Sequence, residues 1–352
     1  MPEMPTEFIH DEAAFRKQIP FPIESTNLPG VYHIPPPPDD FDPRTASQTE
    51  CLRYGILLPR RQPEDTPRGI AVNQAMDKFF GSRKWLAKDR IVPVLDPQDG
   101  KSHGFRGSGK PIVDGAYSNY SWAGSINFGD SWNCVTATWK IPTVSQPNTQ
   151  PGALDDDLDG WASESWIGID GILLMDGVPV SGLEVLQAGI SQVVPGEGVP
   201  GYTAWFAWFT SQSLNTPPYT YQTNLSMNVT AGDEMYCSVQ YLGKIAAILN
   251  FANNTTGQTI SMCLAPPASA QFLGQSCEWI MECPNDGEFE GDNSLPNFTP
   301  LTFDAAFGCG PGAEPTVPGT VFMNVDIQNQ NNVLITQTTR GFFSTTIEYI
   351  GM

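Results

Sequence analysis

Apolar and polar residues alternate along most of residues 111–352, in short segments separated by Gly, Pro, Asn and Asp. Aromatic and β-branched residues on a period of two are typical of strands joined by turns. Helical periodicity is nearly absent, so the pattern predicts an all-β domain, an antiparallel β-sandwich of the concanavalin A-like or jelly-roll type. The predicted strands are Ser121–Phe128, Cys134–Ile141, Ser163–Ile169, Leu183–Ser191, Thr203–Phe209, Glu234–Leu242, Lys244–Phe251, Thr259–Ala265, Cys277–Cys283, Thr320–Ile327 and Ser344–Ile350.

The first 110 residues have a different character. Residues 1–67 are rich in proline, and Ile34–Pro43 is typical of an extended polyproline stretch. The spacing in Ala71–Gly81 predicts a short helix ended by Gly81. This part is therefore interpreted as a proline-rich, partly irregular N-terminal extension.

Charge divides the chain at the same place. Of the 18 Lys and Arg residues, only Lys140, Lys244 and Arg340 follow Lys110, so the net charge of -20 belongs to residues 111–352. The stretch Arg68–Lys110 is net basic. We predict a boundary near Lys110, with residues 1–110 an N-terminal extension or prosegment-like region and residues 111–352 the sandwich domain. Whether the basic stretch lies across the acidic domain or is an ordinary arm stays open.

The composition also limits the chemistry. The 3 histidines all lie in the first part, so residues 111–352 contain no Ser-His-Asp triad, Cys-His dyad or histidine metal site of their own. A domain so poor in bases gains little positive charge when carboxylates protonate near pH ~4, which suits an acidic medium; acidity for solubility is the alternative. We expect no nucleic-acid partner and no membrane association, because the domain is acidic and no apolar run reaches ~18 residues. No signal peptide is visible.

Two further patterns concern metals. The 7 cysteines include no CxxC pair, so zinc spacing is absent, and most are interpreted as small buried apolar residues whose pairing stays open. Asp155–Gly160, "DDDLDG", resembles the start of an EF-hand loop, but Trp166 stands where a glutamate ligand is needed. We interpret it as a solvated acidic loop and expect no metal or cofactor.

The segment "CEWIMEC", Cys277–Cys283, places two acids in an apolar strand. On a strand Glu278 and Glu282 share one face, with Trp279 and Met281 on the other. Acids are rarely buried without a partner or a purpose. A carboxylate can activate water for hydrolysis, and a neutral amide can stabilise an oxyanion without titrating.

Four motifs resemble the eqolisins, the glutamic peptidases, in their order along the chain: "WIGIDG" (Trp166–Gly171), "LQAG" (Leu186–Gly189), "AWFAW" (Ala204–Trp208) and "CEWIME" (Cys277–Glu282). The resemblance spans residues 117–350. It implies a sandwich that acts as an acid endopeptidase on protein or peptide substrates, and a secreted protein or an acidic compartment. We expect a monomer.

The resemblance also implies site residues. The family's catalytic glutamine falls on Gln187 and its glutamate on Glu282, with Glu278 as the less favoured alternative. Trp166 and Asp170 match residues near the dyad, and Trp205 matches an aromatic of the cleft. Ala207 and Phe209 depart from the pattern, because the family has Glu and Tyr there. Without the resemblance, Gln187 would be interpreted as a core amide.

Two other functions are considered. Glu278 and Glu282 have the spacing of the paired acids of some sandwich glycoside hydrolases, but on a straight strand their Cα atoms stand about 13 Å apart, whereas a retaining pair needs carboxyl groups about 5 Å apart. Ala207 favours a third reading, a catalytically inactive sandwich used for binding or assembly.

Overall fold

The structure, a computed structural model, describes most of the sandwich and part of the extension. The described residues are 11–38, 40–42, 45–56, 63–66, 69–70, 73, 77, 93–95, 110–113, 116–129, 131–147, 152–154, 158–210, 222–284, 295–310, 315–316, 321–329, 331–341 and 343–351. The helices are α1 Glu12–Gln18 and α2 Gln48–Leu52. The strands are β1 Glu24–Ser25, β2 Val31–His33, β3 Pro93–Leu95, β4 Lys110–Val113, β5 Ala116–Asn119, β6 Trp122–Phe128, β7 Cys134–Lys140, β8 Val144–Ser145, β9 Gly152–Leu154, β10 Leu158–Ile169, β11 Ile172–Met175, β12 Val178–Ser181, β13 Glu184–Pro195, β14 Gly201–Thr210, β15 Thr223–Leu225, β16 Glu234–Leu242, β17 Ala246–Asn253, β18 Gln258–Leu264, β19 Ser276–Glu282, β20 Asn297–Phe298, β21 Leu301–Cys309, β22 Pro315–Thr316, β23 Val321–Ile327, β24 Thr336–Arg340 and β25 Thr345–Tyr349.

Two large sheets form the sandwich. The first has the order β1-β2-β18-β17-β16-β7-β21-β25-β24, with β22 beside β21. The second has the order β3-β15-β14-β13-β10-β19-β6-β23-β5-β4, with β9 beside β10. Within the ranges given above, neighbouring strands are antiparallel except β5 and β23, which run parallel. The predicted antiparallel sandwich is confirmed, and each predicted strand coincides with an observed one.

The main core lies between the two sheets. The second sheet contributes inward-facing residues on a period of two, such as Ile167 of β10, Leu186 of β13 and Trp279 of β19. They meet Val239 and Leu249 of the first sheet. All seven cysteines are buried thiols, as expected of small apolar side chains.

The opposite face of the second sheet carries a separate cluster, which we call the outer cluster. Its buried members are Trp122, Ile126, Phe128, Trp166, Ile172, Trp205, Ala207, Ile280, Met323 and Val325. A sheet that is apolar on both faces needs cover on both. The acids of β19 lie on this second face, as the alternation predicts.

The extension packs on the outer face of the first sheet. Phe15 of α1 and Tyr32 of β2 join Ile248 and Cys263 in a buried cluster, and β2 pairs with β18 at the sheet edge. In the second sheet, β3 pairs with β15 at one edge and β4 pairs with β5 at the other. The described part of residues 1–110 is thus in apolar contact with the sandwich.

Some expectations fall outside the described residues. Only a few residues of the helix predicted over Ala71–Gly81 are described, and the same holds for the acidic loop Asp155–Gly160. The described part of Ile34–Pro43 has no regular secondary structure. Among the described residues, no helix has the length and apolar character that a membrane crossing requires.

Candidate active site

Three adjacent strands, β13, β10 and β19, carry the predicted catalytic residues. In their register Gln187 lies opposite Gly168, and Gly168 lies opposite Glu278. Glu282 lies opposite Glu164. Residues directly opposite each other, and residues two apart on one strand, point to the same face of a sheet. Gln187, Glu278 and Glu282 therefore all rise from the face of the outer cluster.

Trp166 links the strands of this face. Its indole Nε1 donates a 2.8 Å hydrogen bond to Oε2 of Glu282. Its ring packs edge-on against Trp122, with ring centroids 4.9 Å apart. Opposite Trp166 stands Gly189, where an added Cβ would clash with the Cβ of Trp166 and the carbonyl of Ser165. The glycine of "LQAG" thus makes room for the tryptophan that holds Glu282.

Gln187 is fully buried, and neither atom of its amide has a hydrogen-bond partner among the described residues. Its neighbours across the sheet, Gly168 and Ala207, offer no polar side chain. A buried amide left unpaired costs about 1–3 kcal/mol. Side chains in this state are uncommon in folded proteins, and a catalytic role is one of the explanations for them.

Glu278 differs from Glu282 in its surroundings. Its Oε1 accepts a 3.0 Å hydrogen bond from the backbone N–H of Gly171, and its Oε2 has no hydrogen bond among the described residues. Burial, and next the nearby Asp170 carboxylate, raise the pKa of Glu278 well above its ordinary value. The raised pKa favours the protonated form of Glu278, which makes it a weaker candidate for taking a proton from water.

Asp170 and Glu184 secure the loop that leads into β19. Oδ2 of Asp170 accepts hydrogen bonds from Gly274 N and the Tyr241 hydroxyl, and Oδ1 accepts one from Gln275 N at 2.7 Å. Glu184 accepts from the Trp208 indole and from the N–H groups of residues 271 and 272. Burial raises the pKa of both carboxyls. Asp170 and Trp166 were both expected near the dyad. Asp170 contacts the 271–275 loop, whereas the Trp166 indole contacts Glu282 directly.

Within the described ranges, no group of three or more His, Cys, Asp and Glu side chains could hold a metal ion. The register of β19 with β10 and β6 is continuous from Glu278 to Glu282. Without a bulge, the two carboxyl groups do not converge as a retaining glycoside hydrolase pair does.

Residues 120–349 match the peptidase A4 family. The chain belongs to this family, the eqolisins. The eqolisin resemblance seen in the four motifs is confirmed, and the protein is a hydrolase of the glutamic peptidase class. Aspergillopepsin-2 of Aspergillus niger is 25% identical over 242 residues, which cover 65% of this chain and 77% of that protein. Scytalidopepsin B of Scytalidium lignicola is 25% identical over 174 residues, which cover 49% of this chain and 54% of that protein.

Solved structures of eqolisins superpose on the chain. A scytalido-glutamic peptidase with a peptide-based transition state analog matches with a TM-score of 0.49 at 20% identity, covering 66% of this chain and 98% of that one. Aspergilloglutamic peptidase from Aspergillus niger matches with a TM-score of 0.40 at 23% identity, covering 54% of this chain and 99% of that one.

The predicted site residues of this eqolisin divide into two groups. Gln187, Glu282, Trp166 and Trp205 share the face of the outer cluster, whereas Asp170 lies at the end of β10 and bonds the 271–275 loop. Ala207 stands directly opposite Gln187, so the acid that the family pattern expects there is absent beside the amide.

Two features of the structure were not predicted from the sequence. Glu184 gave no separate signal in its strand, and the β11–β12 hairpin was not recognised although Asp-Gly between apolar runs is a strong hairpin signal.

Proposed function

We propose that this eqolisin hydrolyses peptide bonds through Gln187 and Glu282, with Glu278, the glutamate in register with Gln187, as the alternative. The observation that supports this assignment best is the buried Gln187 amide without a hydrogen-bond partner among the described residues, on the face where the Trp166 indole binds Glu282. An amide in that state can donate its N–H groups to a group that forms only during the reaction.

The proposed steps follow from the chemistry of the two side chains. The carboxylate of Glu282 takes a proton from a water molecule, whose oxygen attacks the peptide carbonyl carbon. The amide N–H of Gln187 donates to the oxyanion as it develops. Glu282 then returns its proton to the leaving nitrogen. The Trp166 N–H holds one oxygen of Glu282 and so fixes the orientation of the carboxyl group.

Access to the site requires movement of the chain. Gln187 is 0% exposed and Glu282 is 1% exposed. A polypeptide substrate cannot reach either side chain in this state. We therefore infer that the peptidase gains access to substrate only after a rearrangement or removal of the chain that covers the site; that residues 1–110 act as a prosegment-like region stays a separate proposal.

The dyad is tested by isosteric substitutions. We expect Gln187→Ala and Glu282→Gln each to lower cleavage of a denatured protein at pH 3–4 by about 10²-fold or more, with the fold intact. The matched control is Glu278→Gln, whose amide oxygen can still accept the hydrogen bond from Gly171 N and which should retain activity within about tenfold.

The outcomes are distinct. Full activity in folded Glu282→Gln protein, together with an inactive Glu278→Gln protein, would exchange the two glutamates. If the unsubstituted protein, freed of any covering segment, released reducing sugar from β-glucans and cleaved no protein at any pH, the peptidase assignment would be wrong.

A further inference from the structure

A hairpin leaves the sandwich next to the candidate site. Strands β11 and β12 are joined by the two-residue turn Asp176–Gly177, with φ angles of 53° and 78°. Positive φ at both turn residues is the type I′ turn that closes two-residue hairpins. At the base, the N–H of Gly182 donates to the carbonyl of Gly171 at 2.9 Å.

The hairpin lies on the face that carries the dyad. Its base is fixed by the hydrogen bond from Gly171 N to Glu278, and Ile172 is buried in the outer cluster with Trp166. At its turn, the carbonyl of Gly177 accepts a 3.3 Å hydrogen bond from the hydroxyl of Tyr117, on β5 near the far edge of the sheet. The hairpin therefore extends from the end of β10 over β19, β6 and β23 to β5.

The register decides which backbone groups point outward. The pair Met175 and Val178 closes the turn, so their N–H and C=O groups bond each other, and the pairing alternates from there along the hairpin. Leu174 and Pro179 form the next pair, and Ile172 and Ser181 form the last pair of the ladder. The backbone groups of these two pairs point away from the hairpin.

The two outer edges are unequal. The outer edge of β11 presents the N–H and C=O groups of Ile172 and Leu174. On β12, Pro179 has no N–H, so Ser181 supplies the single outward donor of that edge. Within the described part of the chain, the hairpin forms a two-stranded sheet that pairs with no other strand.

We propose that the outer edge of β11 binds the main chain of the peptide substrate as an added third strand. The inference rests on the proposed peptidase function, because the occupant is its substrate. An extended peptide offers alternating N–H and C=O groups that match those of Ile172 and Leu174. A free strand edge is usually protected by charge or proline, and β11 has neither.

Apolar side chains lie on one face of the hairpin, beside this edge. Leu173, Met175, Val178 and Val180 share the face of the hairpin opposite Ile172, and Met175 is 60% exposed and Val178 36% exposed. Exposed apolar residues grouped beside a binding site are typical of contact surfaces. The hairpin therefore favours substrates with apolar side chains next to the bound main-chain segment.

The test removes one outward N–H. Leu174→Pro deletes the donor at the β11 edge, and the hairpin ladder does not use that N–H. Two controls accompany it: Leu174→Ala removes the side chain but keeps the N–H, and Ser181→Pro deletes the outward donor of the other edge. We expect Leu174→Pro to weaken binding of an unstructured apolar peptide to Glu282→Gln protein about five- to tenfold relative to both controls, measured by tryptophan fluorescence.

A second measurement does not depend on the folding of the proline variant. Peptides in which one backbone amide at a time is replaced by an ester are titrated into Glu282→Gln protein. Loss of affinity at alternate positions of the peptide supports strand pairing. Equal affinity for every ester, or equal affinity of Leu174→Pro and Leu174→Ala protein, would overturn the proposal. Cleavage by the unsubstituted protein tests the peptidase function separately, because binding to the Glu282→Gln variant requires no catalysis.

Discussion

At the scale of single residues, two buried glutamines on β13 differ in their hydrogen bonding. Gln187 has no hydrogen bond among the described residues. Gln192 accepts from the Ser163 hydroxyl at 2.9 Å and donates to the Ser165 hydroxyl at 2.8 Å and to the Ile190 carbonyl. An unpaired buried amide destabilises a fold, whereas a paired one stabilises it. The state of Gln187 is thus expected of a group reserved for function.

This contrast yields a prediction about stability and activity together. Replacing Gln187 by the similarly sized Leu should raise the free energy of unfolding by about 1–3 kcal/mol while abolishing peptidase activity. Gln192→Leu is the matched control and should lower the free energy of unfolding by a similar amount, because it leaves the partners of Gln192 unpaired. Urea denaturation and a cleavage assay measure both effects. A Gln187→Leu protein less stable than the unsubstituted one would contradict the interpretation of Gln187.

Sequence reasoning reached part of this residue-level picture. Strand alternation alone placed Glu278 and Glu282 on one face, and the family motifs selected Gln187. The alternation could not show that the pKa of Glu278 is raised, since that depends on burial and on Asp170, which lies more than 100 residues earlier in the chain. Nor could it show that Gln187 lacks a partner, which follows from Gly168 and Ala207 on the neighbouring strands.

At the scale of elements, regular strands were predictable and irregular ones were not. β16 was predicted with its observed bounds because its alternation is unbroken. β21 was missed: its register against β7 shifts between Asp304 and Phe307, and Ala305 has a φ of 50°. A bulge of this kind inserts residues that interrupt the alternation of apolar and polar positions, so the sequence of the segment no longer predicts a strand.

The 271–275 loop is the element on which the position of β19 depends. Two buried carboxyls hold it, Asp170 and Glu184, and burial raises the pKa of each. A carboxyl with a raised pKa binds protons more readily in the folded than in the unfolded state. Its contribution to stability is fully present below the ordinary carboxyl pKa and is lost as the pH rises through the raised folded pKa. Asp170 and Glu184 therefore stabilise the folded state more in acid than at neutral pH.

The prediction is that the protein resists urea better at pH 4 than at pH 8. Asp170→Asn and Glu184→Gln should each be less stable at pH 4, because an amide keeps only one acceptor oxygen for the loop N–H groups, and each should show a smaller difference between the two pH values. Glu348→Gln, at an exposed position on β25, should leave the difference unchanged. If the two loop variants kept the full pH difference, other groups would have to supply it.

At the scale of the whole molecule, the extension has an apolar part that packs on the sandwich and a net basic part that follows it. Residues 11–56 pack through buried apolar side chains such as Phe15, Phe21 and Ile34, and through the pairing of β2 with β18. Arg68–Lys110 is net basic and precedes a domain to which the net charge of -20 belongs. The family match begins at residue 120, after both parts. Apolar packing does not depend on the ionisation of carboxylates, whereas attraction between basic and acidic parts weakens when carboxylates protonate.

The two parts should therefore behave differently in acid. A site for a specific protease inserted in the exposed turn Pro63–Thr66 allows the chain to be cut there at neutral pH. We expect the fragment of residues 1–65 to stay bound to the sandwich at both pH 7 and pH 3 in size-exclusion chromatography.

A second cut near Lys110 tests the basic part. Peptidase activity should then appear at pH 3. A peptide of Arg68–Lys110 added back should inhibit this activity more at pH 6 than at pH 3, and less at high salt than at low salt. Release of residues 1–65 at pH 3 from a sandwich that stays folded would make the whole extension a removable prosegment. Aggregation after the second cut, with no activity, would instead make residues 68–110 a structural part of the sheet edges where β3 and β4 pair.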